Sequence, residues 1–215
     1  MAKRGPNISK EVQLSKAMTF LLRHGAEKEG IQMNVDGFVN LDELLQHKSL
    51  KTATKDEILK IVENCPKKRF FVKTEIDPNN QKEQILIRAN QGHSIKDLNV
   101  DMEEIINSNE IKIVIHGTYH RFWDQIKNQG LSRMSRQHIH FSTDMPGSKD
   151  VISGMRSNCQ IAIYVDVEKA LHDGLKFYKS ANNVILCPGD ASGYLSSKYF
   201  LKAIDLQKNT DLLEN

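Results

Sequence analysis

The sequence predicts an α+β protein made of two lobes. In residues 1–98, three short stretches of helical spacing precede two β-rich runs joined by Asp77-Pro78-Asn79-Asn80. In residues 111–207, apolar strands are interrupted by a few short helices. The polar, acidic stretch 99–110, with Asp101, Glu103 and Glu104, reads as a linker between the lobes, and 208–215 reads as a C-terminal tail.

Each element has a local cause. Leu14, Met18, Leu21 and Leu22 repeat at helical spacing behind Ser9, a side chain suited to capping, and Gly25 is expected to end that helix in the left-handed conformation. Arg23 and His24 then fall in the last turn. Asn40-Leu41-Asp42-Glu43 opens a second helix with a cap and an acid three residues on, and Thr54-Lys55-Asp56-Glu57 opens a third that stops before Pro66. Residues 68–73 and 85–88 form the strands of the hairpin. Three helices and then a hairpin is the order of a winged helix, a fold that serves both nucleic-acid binding and protein docking. Beyond the linker, 111–115 is a strand ending at His116-Gly117-Thr118, 119–127 is a helix closed by Gly130, and further strands fall at 138–142, 161–167, 184–186 and 199–204.

Composition narrows the classes. With 215 residues, 39% hydrophobic and 27% charged, the chain can bury one sizeable core or two small ones. It contains no run of about 18 apolar residues to span a bilayer and no apolar stretch near Met1 of the kind a secretory signal carries, so a cytosolic or nuclear protein is expected. Cys65, Cys159 and Cys187 are widely spaced and lack C-x-x-C pairing, which supports neither a disulfide framework nor a zinc site. Residues 1–100 carry 17 Lys+Arg against 13 Asp+Glu, whereas 101–215 carry 13 against 14, so a polyanion would meet the first half.

Candidate chemistry falls in four clusters: Arg23-His24; Lys67 to Arg69 with Arg88 to Ser94; His116 to Thr118 with His138 to Ser142; and Ile152 to Ser157. Arg23-His24 places a guanidinium and an imidazole at a helix end with no acid one turn upstream, an arrangement suited to phosphate, although cations there also simply favour the helix dipole. Lys67-Lys68-Arg69 adds charge at a strand start; Arg69 differs from the lysines because its planar fork fits two oxygens of one phosphate. Gln91-Gly92-His93-Ser94 sets hydrogen-bonding side chains around a glycine that admits a ligand to the backbone, and equally fits a polar turn leaving the hairpin. His116-Gly117-Thr118 offers backbone groups for a flat amide such as nicotinamide and an imidazole for a ribose hydroxyl. His138 and His140, two apart, share a strand face; they lack a third ligand at a zinc-like interval. Ser153-Gly154-Met155-Arg156 couples flexible backbone to a fixed charge suited to pyrophosphate or to a phosphate being transferred. Walker, Rossmann and nucleophile-elbow motifs are absent from the sequence.

Taken in order, Gln13 to Ala17, Leu22 to His24, Lys68 to Phe70, Gln91 to Ser94, His116 to Thr118, His138 to His140 and Ser153 to Ser157 resemble the tRNA 2′-phosphotransferase family, NAD-dependent enzymes that remove an internal 2′-phosphate from RNA. The resemblance implies an N-terminal winged-helix lobe, a C-terminal ADP-ribosyltransferase-like lobe, and an active site in the cleft between them. It implies a catalytic tetrad at Arg23, His24, Arg69 and Arg156. NAD would be held by His116, Gly117, Thr118, His140, Ser142, Ser153 and Gly154, and the RNA by Lys68, Gln91, Gly92, His93 and Ser94. In the implied reaction the RNA 2′-phosphate displaces nicotinamide from C1″, and O2″ then attacks phosphorus to release 2′-hydroxyl RNA and ADP-ribose 1″,2″-cyclic phosphate. No metal is implied, the partner is RNA, and a monomer is expected. The competing readings are an ADP-ribosyltransferase that caps terminal phosphates of RNA or DNA, and a nucleic-acid binder without catalysis.

Overall fold

In the computed structural model, which describes residues 9–145 and 155–214, the chain divides into two units, Met1–Val100 and Asp101–Asn215. Helix α1 (Lys10–Phe20) starts at Ser9, whose hydroxyl accepts from the Val12 amide. Leu21–Gly25 continues it as a π-helical turn, closed by Ala26 N–H on Leu21 O at 2.9 Å. Gly25 is therefore not the left-handed terminator expected, since the helical conformation runs on into Ala26. The glycine serves a different need: a Cβ there would stand 2.7 Å from Cε1 of the Phe20 ring.

The other caps of this unit follow the sequence. After β1 (Val39–Asn40), Asn40 caps α2 (Leu41–Gln46) by accepting the Asp42 and Glu43 amides. Thr54 and Glu57 close a capping box on α3 (Lys55–Glu63), an arrangement worth about 1 kcal/mol. Strands β2 (Phe70–Ile76) and β3 (Glu83–Ala89) pair antiparallel, and β1 adds to β3, giving the order β1-β3-β2. Leu14, Met18, Leu21 and Leu22 bury one stripe of the first helix against Leu41, Leu44, Ile58 and Ile87.

The second unit begins inside the stretch read as a linker. Met102–Ile105 is strand β4, with Ile105 buried, so 99–110 is not a simple connection. Its pairing partner is remote, which is why local polarity misled. After a 3₁₀ turn come β5 (Ile115–Thr118), α4 (His120–Gln129), β6 (Leu131–Ser132), β7 (Ile139–Phe141), β8 (Ile161–Val165), α5 (Val167–His172), β9 (Phe177–Ser180), β10 (Ile185–Cys187), β11 (Tyr194–Leu195), β12 (Phe200–Asp205) and β13 (Thr210–Asp211). They form sheets ordered β4-β9-β10-β7 and β13-β12-β8-β5, plus the small pair β11-β6. The segment 208–215 is likewise not only a tail, because β13 pairs with β12 and Leu212 and Leu213 lie against the core. Gly130 ends α4 at φ +86°, as the sequence required. Among the described residues no helix is long and apolar enough to cross a membrane.

Candidate functional site

The first unit builds its site on the face of α1 opposite the core. Val12, Ser15, Lys16, Thr19 and Phe20 recur at helical spacing and, with His24 and Arg69, line a groove of about 410 Å³. The π turn extends this face while Leu21 and Leu22 remain buried, leaving Arg23 and His24 half-buried at the helix end.

The loop after β3 fixes both side chains. Arg23 O accepts the Ser94 amide at 2.9 Å, and His24 Nδ1 shares a 2.9 Å hydrogen bond with Ser94 Oγ. Gly92, at φ +92°, lies under the Arg23 guanidinium: a Cβ there would stand 3.2 Å from Cζ and Nη1. The glycine is thus needed twice, for its backbone conformation and for the seat it gives an arginine. Gln91 and His93 are buried at 6% and 3% exposure, so they fill the interior side of this loop. Arg69 precedes β2. Its backbone N–H and its Nη1 both donate to Cys65 Sγ at 3.5 Å, and its carbonyl accepts the Asn90 amide at 2.8 Å. Lys68, at φ +41°, is exposed, and its carbonyl accepts from Asn90 Nδ2. The loop after β3 therefore holds both the helix end and the strand start that carry the cations.

The second unit presents a different construction. His116-Gly117-Thr118 lies within β5 rather than beyond a strand's end, and β5 is an edge strand beside β8. Ile115 exchanges both backbone hydrogen bonds with Ser142, away from β8. Antiparallel pairing alternates, so Gly117, two residues on, turns its N–H and C=O to that same outer side. On its Cα face the glycine is filled from within the protein: a Cβ would collide with Met155, and would come to 3.0 Å from Cys159 Sγ. Thr118 is buried, and its carbonyl accepts the Gln160 amide.

His116 Nδ1 is 3.0 Å from the His140 carbonyl, which can only accept, so the proton sits on Nδ1. Burial lowers the His116 pKa; the carbonyl contact opposes the shift and the charge of Arg136 reinforces it. A neutral ring with Nδ1–H leaves Nε2 as an acceptor. Ser142 is 1% exposed and spends its hydroxyl on the Asp144 backbone. His138 is driven down to about 4 by burial, helped by Arg133, and sits edge-on to Tyr178. Arg156 is exposed. Burial depresses the pKa of Arg136, and the charge of Arg156 adds to the shift. Ser153 and Gly154 lie outside the described residues.

Two parts of this arrangement were not read as site residues. Ser15, Lys16, Thr19 and Phe20 stand in a helical stripe that becomes visible once the opposite stripe of leucines is assigned to the core. Arg136 precedes His138 and His140 at spacings of two, so the alternation Arg-x-His-x-His was its available signal.

By fold and site this is an α+β protein with one cation-lined groove on a helix face and a second cationic cluster beside a histidine-bearing edge strand, the features of a protein that handles phosphate-bearing ligands. The sequence matches the model of the RNA 2′-phosphotransferase, Tpt1 / KptA family over residues 9–189. It is 43% identical over 197 residues to tRNA 2′-phosphotransferase 1 of Danio rerio, covering 91% of this chain and 86% of the relative. Over 207 residues it is 40% identical to tRNA 2′-phosphotransferase 1 of Homo sapiens, covering 96% and 80%. Over 185 residues it is 40% identical to tRNA 2′-phosphotransferase of Saccharomyces cerevisiae, covering 82% and 78%. The chain belongs to the RNA 2′-phosphotransferase (Tpt1 / KptA) family.

Proposed function

We propose that this protein removes the 2′-phosphate left at a splice junction in tRNA, with NAD as co-substrate, through a winged-helix first unit and an ADP-ribosyltransferase-like second unit. The observation that carries the reading is the seating of the Arg23 guanidinium over Gly92, with His24 tied to Ser94 and opening onto the same groove as Arg69. Family membership and the names of the relatives support the phosphate transfer. Support for the winged helix comes from three helices followed by a hairpin whose return strand also pairs with β1.

In this reading Arg23, His24 and Arg69 hold the 2′-phosphate, neutralise it and aim one oxygen at C1″ of the nicotinamide ribose. NAD supplies an electrophilic C1″ and a neutral leaving group, nicotinamide. Gly117 fits the carboxamide because its outward N–H and C=O can pair with a carboxamide's acceptor and donor. His116 fits a ribose hydroxyl because Nε2 accepts. In the second step O2″ attacks phosphorus, its proton departs, and the RNA 2′-oxygen leaves and is protonated. The products are 2′-hydroxyl RNA and ADP-ribose 1″,2″-cyclic phosphate. Arg156 offsets the charge on that phosphorus. A phosphate nucleophile is already anionic, so the first step needs no general base.

The deciding experiment incubates a short RNA bearing one internal 2′-phosphate with NAD and resolves both product pools. Nicotinamide, cyclic phosphate and 2′-hydroxyl RNA are expected together. RNA that keeps an attached ADP-ribose would favour the capping transferase, and release of phosphate without NAD would refute NAD as the co-substrate.

A further inference from the structure

Phe20 closes α1 with its ring 50% exposed on the wall of the groove that also holds Lys16, His24 and Arg69. Leaving an aromatic residue half open forgoes about half of what full burial would contribute. The ring is also held from behind. A Cβ on Gly25 would stand 2.7 Å from its Cε1 and 3.1 Å from its Cδ1 and Cζ, so the ring rests directly against the glycine. The groove, about 410 Å³, is the size of a small-ligand site and larger than one phosphate fills. Its polar wall, Ser15, Lys16, Thr19, His24 and Arg69, suits a sugar-phosphate, and its one aromatic wall suits what such a backbone carries beside the phosphate.

We propose that Phe20 is a stacking platform for the nucleobase adjacent to the phosphorylated ribose, with Gly25 as the backstop that sets the ring's position. The inference rests on the RNA 2′-phosphate reading above and adds a base subsite to it. Stacking on a ring needs no particular base, because every base has a π face, so the subsite grips RNA without reading its sequence. The energy lies in the face of the ring; Leu cannot replace it, whereas Tyr or Trp can.

The test uses the full-length protein with Phe20→Leu, Phe20→Trp and Gly25→Ala, each first shown by thermal melting to fold. Binding is read with a 2′-phosphorylated oligonucleotide carrying 2-aminopurine beside the phosphate. Wild type and Phe20→Trp should quench its fluorescence, and Phe20→Leu should lose the quench. In turnover, Phe20→Leu should raise the KM for RNA by roughly tenfold, the scale of one base stacked on an aromatic ring, with the KM for NAD unchanged. A substrate with an abasic site at that nucleotide should cost wild type a similar factor and cost Phe20→Leu nothing further. Gly25→Ala, by displacing the ring, should behave as Phe20→Leu does. An unchanged quench in Phe20→Leu, or an equal loss on the abasic substrate, would overturn the platform. If wild type quenches yet forms neither 2′-hydroxyl RNA nor ADP-ribose 1″,2″-cyclic phosphate in the presence of NAD, the reaction is wrong and the base subsite stands.

Discussion

In the proposed reading the two units would meet anions by opposite means. In the first, cations are aimed by backbone: a π turn carries Arg23 and His24, and the loop Gly92 to Ser94 seats one and ties the other. In the second, the residues that the sequence offered as a site are engaged within the protein. Ser142 bonds its own turn, Gly117 is filled by Met155, and His116 is pinned by the His140 carbonyl. Among the described residues, the proposed reading leaves a ligand the outward backbone of an edge strand, the His116 Nε2 and the charges of Arg136 and Arg156. The first site is tuned by where charge points, the second by what the packing leaves uncovered.

This contrast can be broken most severely at Arg69. Arg69→Lys retains charge but loses the planar fork, and turnover should fall on the order of 100-fold, with melting temperature unchanged. Near-normal turnover would remove the clamp from the first site. Alanine at Arg156 or at Arg136 should next separate the steps in the second unit: product analysis is expected to show ADP-ribosylated RNA accumulating, and a variant that stops before nicotinamide release would place its arginine in the first step. Gly92→Ala should lower turnover about tenfold by lifting the Arg23 guanidinium, beyond the roughly 1 kcal/mol that a left-handed alanine costs in stability. Gly117→Ala should instead register first as lost stability, about 1–3 kcal/mol by denaturant titration, and Met155→Ala in the same chain should recover part of it. If the Gly92 variant loses only stability and the Gly117 variant only activity, the contrast is reversed.

A further test concerns pH. His138 takes its proton near 6.5 when unfolded but only at about 4 when folded. Between those values the unfolded chain holds the extra proton, so this residue's contribution to stability declines as pH falls from 6.5 toward 4 and is constant outside that window. His138→Gln should flatten the slope of stability against pH in that range.

Legibility in the sequence followed the range of the forces involved. The caps at Ser9, Asn40 and Thr54, and the end of α4 at Gly130, are local events, and their residues declared them. Strands β4 and β13 were read as linker and tail because their pairing partners are remote and their composition is polar. At Gly25 the residue type was informative and its cause was not: the small side chain makes room for a ring rather than for a left-handed bend. His116-Gly117-Thr118 was found by motif, but its place inside an edge strand depends on contacts with Ser142 that spacing does not encode. Arg23, His24 and Arg69 were visible as residue types suited to phosphate. That one loop holds both the helix end and the strand start belongs to the fold.

The hydrogen bond from the Ser94 amide to the Arg23 carbonyl has a mechanical consequence. A helix's final carbonyls ordinarily look to water for partners. Here one of them is the tether by which a distant segment, some seventy residues downstream, is moored to the helix end. Register in the hairpin and winding in the helix therefore cannot drift separately: removing one residue from the turn 21–25 would rewind it, rotate two cations off target and cast the loop adrift in a single event.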